Sequence, residues 1–417
     1  MLIGKLKQLF SNQFVRNVGW LSTAELANRI FRLGTTVTLA RTFSPQDYGL
    51  MAIVYMTWEF ADVFVMRAGI GAKIVQVDQK DVKAISDTSY WLNWILCSLI
   101  FIIQLIAAFY LANFYGQQKL VLPLAINALN YLMFPLFLVH TALIERENKL
   151  KVIALCRTSQ SLVSNTITVI LAWLGMGLWA VVWAMTLTTP LWILITWMHH
   201  PWRPPKLFKL EKWKEVVQFS GQLLSVELLN KLRANIDYLI VGKFLGIDAL
   251  GLYYFAFNAG SGITMNVTNS FMSALFPHLC AANSDYKNLR LQYFRSLKTI
   301  AMTLVPIVLL QSFLAPIYVP IIFGHKWISA IPILILICLS VIPQVFKLTV
   351  SLLLNAINKP YLNLRFDIFY TLLFSIALLI AVKSGIVWVA ATVFVVHLLM
   401  SSIFYSWATK QVFSKHG

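Results

Sequence analysis

Thr23-Ala-Glu25-Leu-Ala-Asn28-Arg29-Ile-Phe-Arg32 lies inside an apolar segment long enough to cross a bilayer, yet it carries three charges and an amide. On a helix turning about 100° per residue, Glu25, Asn28, Arg29 and Arg32 (i, i+3, i+4, i+7) share an arc of roughly 100°. Each charge at mid-membrane depth costs roughly 2.5–3.5 kcal/mol on insertion scales, so such an arc faces protein or a water-filled space. The pattern returns at an offset of 202 (227 − 25) as Glu227-Leu-Leu-Asn230-Lys231, followed by Arg233 and Asp237. A polar helix that occurs twice is the feature from which the architecture follows.

The surrounding composition fixes the solvent. Of 417 residues, 59% are hydrophobic and 12% are charged, with a mean hydropathy of +0.72. Soluble domains carry roughly 25% charged residues, so a water-soluble globule is excluded. Apolar runs near 20 residues recur from end to end, which predicts an all-α polytopic membrane protein. The short alternating segments of a β-barrel are absent. A net charge of +18 would suggest nucleic acid in a soluble chain. Here the Lys and Arg sit between apolar runs, where they set topology instead.

About twelve transmembrane helices are expected, near 17–41, 46–66, 88–114, 119–142, 152–174, 178–198, 216–244, 249–278, 299–323, 328–355, 361–382 and 386–408. The connections between them alternate in charge. Twenty-four Lys and Arg fall on one side, Arg146, Lys149, Lys151 and Arg157 among them, and five on the other: Arg41, Lys119, Lys243, Lys326 and Lys383. The positive-inside rule then puts both termini in the cytoplasm.

The longest polar break, His199-His-Pro-Trp-Arg-Pro-Pro-Lys206 through Lys214, divides the chain. Residues 1–200 are expected to form one six-helix lobe, 201–215 a basic cytoplasmic linker, and 216–417 a second lobe. Further repeats support the division: Arg41 recurs as Lys243, Gly49-Leu50 as Gly251-Leu252, Asn148-Lys149 as Asn358-Lys359, and Gly177-Leu loosely as Gly385-Ile. A six-span unit is even, so both copies enter the membrane in the same direction. Parallel repeats of this kind suit two lobes around a central cavity and alternating access between them.

The candidate chemistry lies in the polar helices. Glu25–Arg29 and Glu227–Lys231 can neutralise one another as i, i+4 pairs at a helix contact. Alternatively Arg29, Arg32, Asn28, Lys231, Arg233 and Asn230 line a polar cavity that takes an anionic substrate. Arg32 has no acidic residue at i±3 or i±4, and guanidinium grips phosphate in a bidentate fork. Glu59 and Asp62, three apart on the second helix, are either a proton or sodium site or the counter-ions of Arg29 and Arg32. With Glu25, Glu227 and Asp237 they make up the ion-coupling candidates. Lys347 and Asp367 can pair, and His140, His278 and His397 read as hydrogen-bonded packing residues.

Ser44-Pro45-Gln46-Asp47 is a helix start, with a capping Ser, Pro in the first position and Asp in the third. Gly69-Ile-Gly71-Ala-Lys73-Ile lacks the third glycine and the βαβ context of a nucleotide fingerprint, and no Walker A sequence is present. The four cysteines are widely spaced, with no zinc or disulfide pattern. No metal, cofactor or catalytic residue is expected, and the chain is not read as an enzyme.

Arg41-Thr-Phe-Ser-Pro-Gln-Asp-Tyr-Gly-Leu, with Ala68-Gly-Ile-Gly-Ala-Lys-Ile-Val-Gln76, resembles the polysaccharide transporter family. So does Asn235-Ile-Asp-Tyr-Leu-Ile-Val-Gly-Lys-Phe-Leu-Gly246 with Leu250-Gly-Leu-Tyr253. This family holds Wzx-type O-antigen and colanic-acid-type flippases of the multidrug/oligosaccharidyl-lipid/polysaccharide exporter superfamily. The resemblance implies a V-shaped flippase in the bacterial cytoplasmic (inner) membrane. Its substrate would be a polyprenyl-diphosphate-linked oligosaccharide of O-antigen, capsule or exopolysaccharide. Membrane lipids and polysaccharide polymerase and assembly machinery are the partners it implies, with no nucleic acid. An ion-coupled multidrug exporter and a peptidoglycan lipid-precursor flippase are the alternatives on the same fold.

Overall fold

The computed structural model describes residues 31–413 apart from Met66, Asn283 and Ser284. Glu25, Asn28 and Arg29 lie outside the described residues. Among those described, the chain is helical with no strand. Helix α1 covers 31–42, followed by α2 (Pro45–Phe64), α3 (Arg67–Gln76), α4 (Val82–Tyr115), α5 (Val121–Met133), α6 (Pro135–Arg146), α7 (Leu150–Trp173) and α8 (Leu178–His199). After the Pro-rich segment come α9 (Trp213–Phe244), α10 (Ile247–Ala282), α11 (Tyr286–Tyr318), α12 (Ile331–Ala356), α13 (Pro360–Ala381) and α14 (Ile386–Phe413).

Each of the eleven expected spans after 17–41 falls on a helix, with one correction. The span read as 119–142 is broken into α5 and α6, bent by 51°. Pro135 opens α6, and its ring removes a backbone donor and clashes with the preceding turn, which kinks the path. Among the described residues, seven helices are long and apolar enough to cross a membrane, or eight with this bent pair taken as one. At 24, 32 and 36 residues, α7, α9 and α10 are long enough but are not in that group. Their sequences carry polar and charged side chains that must face protein or water at membrane depth.

The chain divides into two compact units. The first holds 31–43 with Ile53–Leu232, and the second holds Ser44–Ala52 with 233–413. In the first, α7 pairs with α8, α4 with α5, α5 with α8, and α3 with α6. Glycine permits a further close approach there. A Cβ on Gly69 would come within 2.5 Å of the Ser220 Cα, so α3 lies against the α9 backbone. Lys73 then reaches Glu215 at 3.4 Å. The Gly-Ile-Gly-Ala-Lys stretch is therefore a helix-packing segment. The linker is laid along this unit: Thr88 donates to the Glu211 carbonyl, Trp91 Nε1 to that of Leu207, and Lys212 pairs with Asp81 at 2.8 Å.

In the second unit α12 is the central helix, packed on α10, α11 and α14. The family-like Ser-Pro-Gln-Asp-Tyr-Gly segment starts α2 with a reciprocal cap: the Asp47 N–H donates to Ser44 Oγ at 3.1 Å, and the Ser44 N–H to Asp47 Oδ2 at 3.0 Å. Tyr48 then buries its ring edge-on against Trp327 (4.8 Å) and Phe255 (5.9 Å). Trp327 is fully buried and stacks on Phe255 at 4.0 Å. The repeated Asn-Lys pairs share a conformation as well as a sequence. Asn148 and Asn358 both adopt φ 57°, the left-handed turn that ends a helix and that Asn tolerates better than most residues.

Candidate functional site

The polar side chains of α9 engage different helices in the two units. In the first, Lys231 Nζ lies 3.1 Å from Glu59 Oε2 on α2, and both side chains are partly exposed. Sequence spacing offered Lys231 an i, i+4 partner in Glu227; the fold brings it to Glu59 instead. Asn230 and Arg32 are exposed on α9 and α1. Glu227 and Asp62 are half-buried and line one cavity of about 620 Å³, together with Glu145, Arg157 and Trp192.

Two residues further along α9, in the second unit, Arg233 Nη1 lies 2.7 Å from Asp367 Oδ1 on α13. Lys347 on α12 reaches the same oxygen at 2.6 Å and sits 4.5 Å over the Tyr370 ring. One carboxylate thus serves two cations, leaving the trio with a formal charge of +1 inside the helix packing. Lys347 and Asp367 form the pair that the sequence suggested. Asp237, a candidate for ion coupling, is buried and receives the Tyr253 hydroxyl at 2.8 Å and the Tyr238 N–H at 3.0 Å. The two family-like stretches, Asn235–Gly246 and Leu250–Tyr253, are joined by that bond.

The histidines are hydrogen-bonded: His140 to the Trp202 carbonyl at 3.0 Å, His278 to Gln292 Oε1 at 2.9 Å, and His397 to the Tyr370 hydroxyl at 3.0 Å. Among the described residues, no group of three or more His, Cys, Asp and Glu could hold a metal ion.

One residue of the site was missed by sequence reasoning. Along the sequence Arg157 reads as a topology charge near the cytoplasmic end of its span. The structure places it on the wall of two cavities that share Asp62, Arg157 and Trp192. The available signal was the polar run Arg157-Thr-Ser-Gln-Ser-Leu-Val-Ser-Asn165, too long for an ordinary lipid-facing segment.

Comparison with known proteins agrees with this architecture. The chain is 24% identical to the teichuronic acid biosynthesis protein TuaB of Bacillus subtilis, over 94% of this chain and 82% of TuaB. Its fold matches an inward-facing multidrug resistance MATE family transporter at a TM-score of 0.74 and 14% identity, covering 93% of this chain and 95% of that one. The lipid II flippase MurJ in its inward closed conformation matches at the same TM-score and 15% identity, covering 95% and 89%. At these identities both structures speak for the fold alone. The family described as polysaccharide biosynthesis protein matches residues 38–332. The chain is a multi-pass membrane protein of the polysaccharide biosynthesis protein family, on the fold shared by MATE transporters and MurJ.

Proposed function

We propose that this protein is a flippase that carries a polyprenyl-diphosphate-linked oligosaccharide across the bacterial cytoplasmic membrane, with both termini inside. Residues 1–200 and 216–417 act as the two lobes of an alternating-access cycle, joined by the 201–215 linker. The observation that carries this reading is on α9. Lys231 and Arg233, two residues apart in a helix of membrane-spanning length, are each held by a carboxylate from another helix, Glu59 or Asp367. Charges kept at such depth despite their desolvation cost are functional by default. Cations already neutralised by a movable carboxylate can exchange that partner for a diphosphate and recover it when the substrate leaves. Arg32, exposed on α1, and Arg29 with Asn28 add to the same anion-attracting set, while Glu25, Glu59, Asp62, Glu227 and Asp237 are where an ion gradient could couple.

Family membership and the MurJ-like fold support this reading. Glu145 and Glu227, which line one cavity with Arg157 among the described residues, favour a second one, a cation-coupled drug exporter. A deletion strain separates them. Loss of surface polysaccharide with unchanged drug susceptibility is expected, and restoration by the wild-type gene but not by a Lys231→Ala/Arg233→Ala variant at equal protein level. Hypersensitivity to cationic drugs with intact polysaccharide would overturn the proposal, and loss of viability would favour a peptidoglycan-precursor flippase.

A further inference from the structure

Two helices of the first unit present matched polar stripes to one another. Arg157, Gln160, Ser161 and Ser164 stand at i, i+3, i+4 and i+7 of α7; Met185, Thr188, Thr189 and Trp192 stand at the same spacing on α8. Residues so spaced share a helix face. The two faces line one cavity of about 380 Å³, closed on the α2 side by Trp58 and Asp62. Trp58 stacks on the buried Tyr131 at 5.4 Å, and Trp192 packs on Phe137 at 5.5 Å, so the two indoles are fixed in place.

Several of the polar groups have their own bonds, and the remainder is informative. Thr188 donates to the Ala184 carbonyl, and Thr189 to Asn130 Oδ1. Trp192 Nε1 donates to Gln160 Oε1 at 2.7 Å, which fixes the amide and leaves its NH₂ as a donor aimed away from that bond. The Ser164 hydroxyl and the Arg157 guanidinium make no hydrogen bond or ion pair among the described residues. An aromatic pair, an oriented amide, a free hydroxyl and a guanidinium on one cavity wall suit a ligand with both apolar faces and many hydroxyls. A pyranose ring has that character. An isolated phosphate does not, because among the described residues the adjoining wall sets Glu145 and Glu227 against Arg157. The volumes, about 380 and 620 Å³, lie within the roughly 300–1,000 Å³ typical of small-molecule sites.

We propose that the cleft between α7 and α8, walled by Trp58 and Trp192, is a glycan-binding subsite that receives neutral or amino sugar residues of the transported oligosaccharide. It is separate from the cations that take the diphosphate. The inference rests on the flippase reading and deepens it: sugar selectivity resides in the first unit, in Arg157, Gln160 and Ser164.

The test uses the purified full-length protein in detergent and two probes. One is the oligosaccharide released by mild acid from the host's own lipid-linked glycan; the other is a polyprenyl diphosphate bearing no sugar. Tryptophan fluorescence should report oligosaccharide binding to the wild type. Ser164→Ala and Gln160→Leu should each weaken it about 10-fold, the loss of about one hydrogen bond, with diphosphate binding unchanged. Arg157→Lys should retain more affinity than Arg157→Ala. Ser164→Ala removes no bond within the protein, so misfolding cannot account for its effect. Oligosaccharide binding equal to wild type in all three positions would overturn the subsite while leaving the flippase intact. Binding of neither probe to the wild type, with normal polysaccharide in a deletion strain, would overturn both.

Discussion

Gly251 of α10 and Gly49 of α2, which correspond across the sequence repeat, pack against each other where their helices begin. A Cβ on Gly251 would overlap the Pro45 carbonyl oxygen and come within 3.0 Å of the Gly49 nitrogen; one on Gly49 would overlap the Ile247 carbonyl. Gly→Ala in a helix interior ordinarily stabilises by about 1 kcal/mol. Overpacking against backbone, which cannot rotate away, costs about 1–3 kcal/mol or more. The second effect wins, so Gly251→Ala should lower the melting temperature of the purified protein. Gly262→Ala, on the same helix with open space at its Cβ, should not. Equal melting temperatures for both variants would contradict the packing.

Asp367 holds both Arg233 and Lys347. Replacing it with Asn takes from Arg233 and Lys347 the carboxylate they share, and removal of one member of such a set costs about 3–5 kcal/mol. Asp367→Asn should therefore reduce folded protein in the membrane severely. Adding Lys347→Met, which removes one of the stranded cations and keeps its volume, should recover part of it. A double variant no better than the single would show that Lys347 is not stabilised by Asp367.

Glu59 and Lys231 are about a third or more exposed, so their pairing contributes only about 0–1 kcal/mol. Glu59→Gln and Lys231→Gln should change thermal stability little while Lys231→Gln abolishes polysaccharide export. The charge-swapped variant, Glu59→Lys with Lys231→Glu, keeps the attraction but moves the cation to α2. Full export by the swap would mean that the pair is structural only.

The turn after α6 carries a pH-sensitive contact. His200 Nε2 lies 3.3 Å from Glu147 Oε1, and Glu147 also pairs with Lys149 at 2.7 Å. Burial holds His200 below its ordinary value of 6.5, with Lys149 and Arg203 pushing the same way and Glu147 opposing. The unfolded chain therefore takes up that proton first, so stability is full above pH 6.5 and declines as the pH falls below it. The Lys149 hydrogen bond lowers the Glu147 carboxyl below 4.5, and that contribution is lost only at more acidic pH. Melting temperature should drop between pH 7 and 5.5, and His200→Gln should flatten that part of the profile alone. An unchanged slope in the variant would rule out His200 as its source.

Much of this was legible along the chain because bilayer insertion constrains local composition. Length and apolarity mark the spans, and Ser44-Pro45-Gln46-Asp47 writes its own cap. The Lys347–Asp367 pairing and the hydrogen bonds of His140 and His397 could also be anticipated, since a charge or imidazole inside the packing needs a partner, whereas His278 is exposed. Less could be read at Phe134-Pro135, where twelve even spans concealed a 51° bend. Arg157 was hidden for a different reason: near a helix end, an arginine that sets topology and one that lines a cavity look the same.

By itself, the sequence determined an all-α membrane protein with an internal repeat, and showed charged residues within the apolar segment that opens each copy. Hydrophobic length and the cost of buried charge are local quantities, so they can be read residue by residue. Only the tertiary structure decided that Lys231 turns to Glu59 and not to Glu227, and that Arg233 shares Asp367 with Lys347. It also decided that the stripes of α7 and α8 face one cleft. Which helices become neighbours depends on packing between segments 20 to 170 residues apart, and periodicity along one helix carries no record of it.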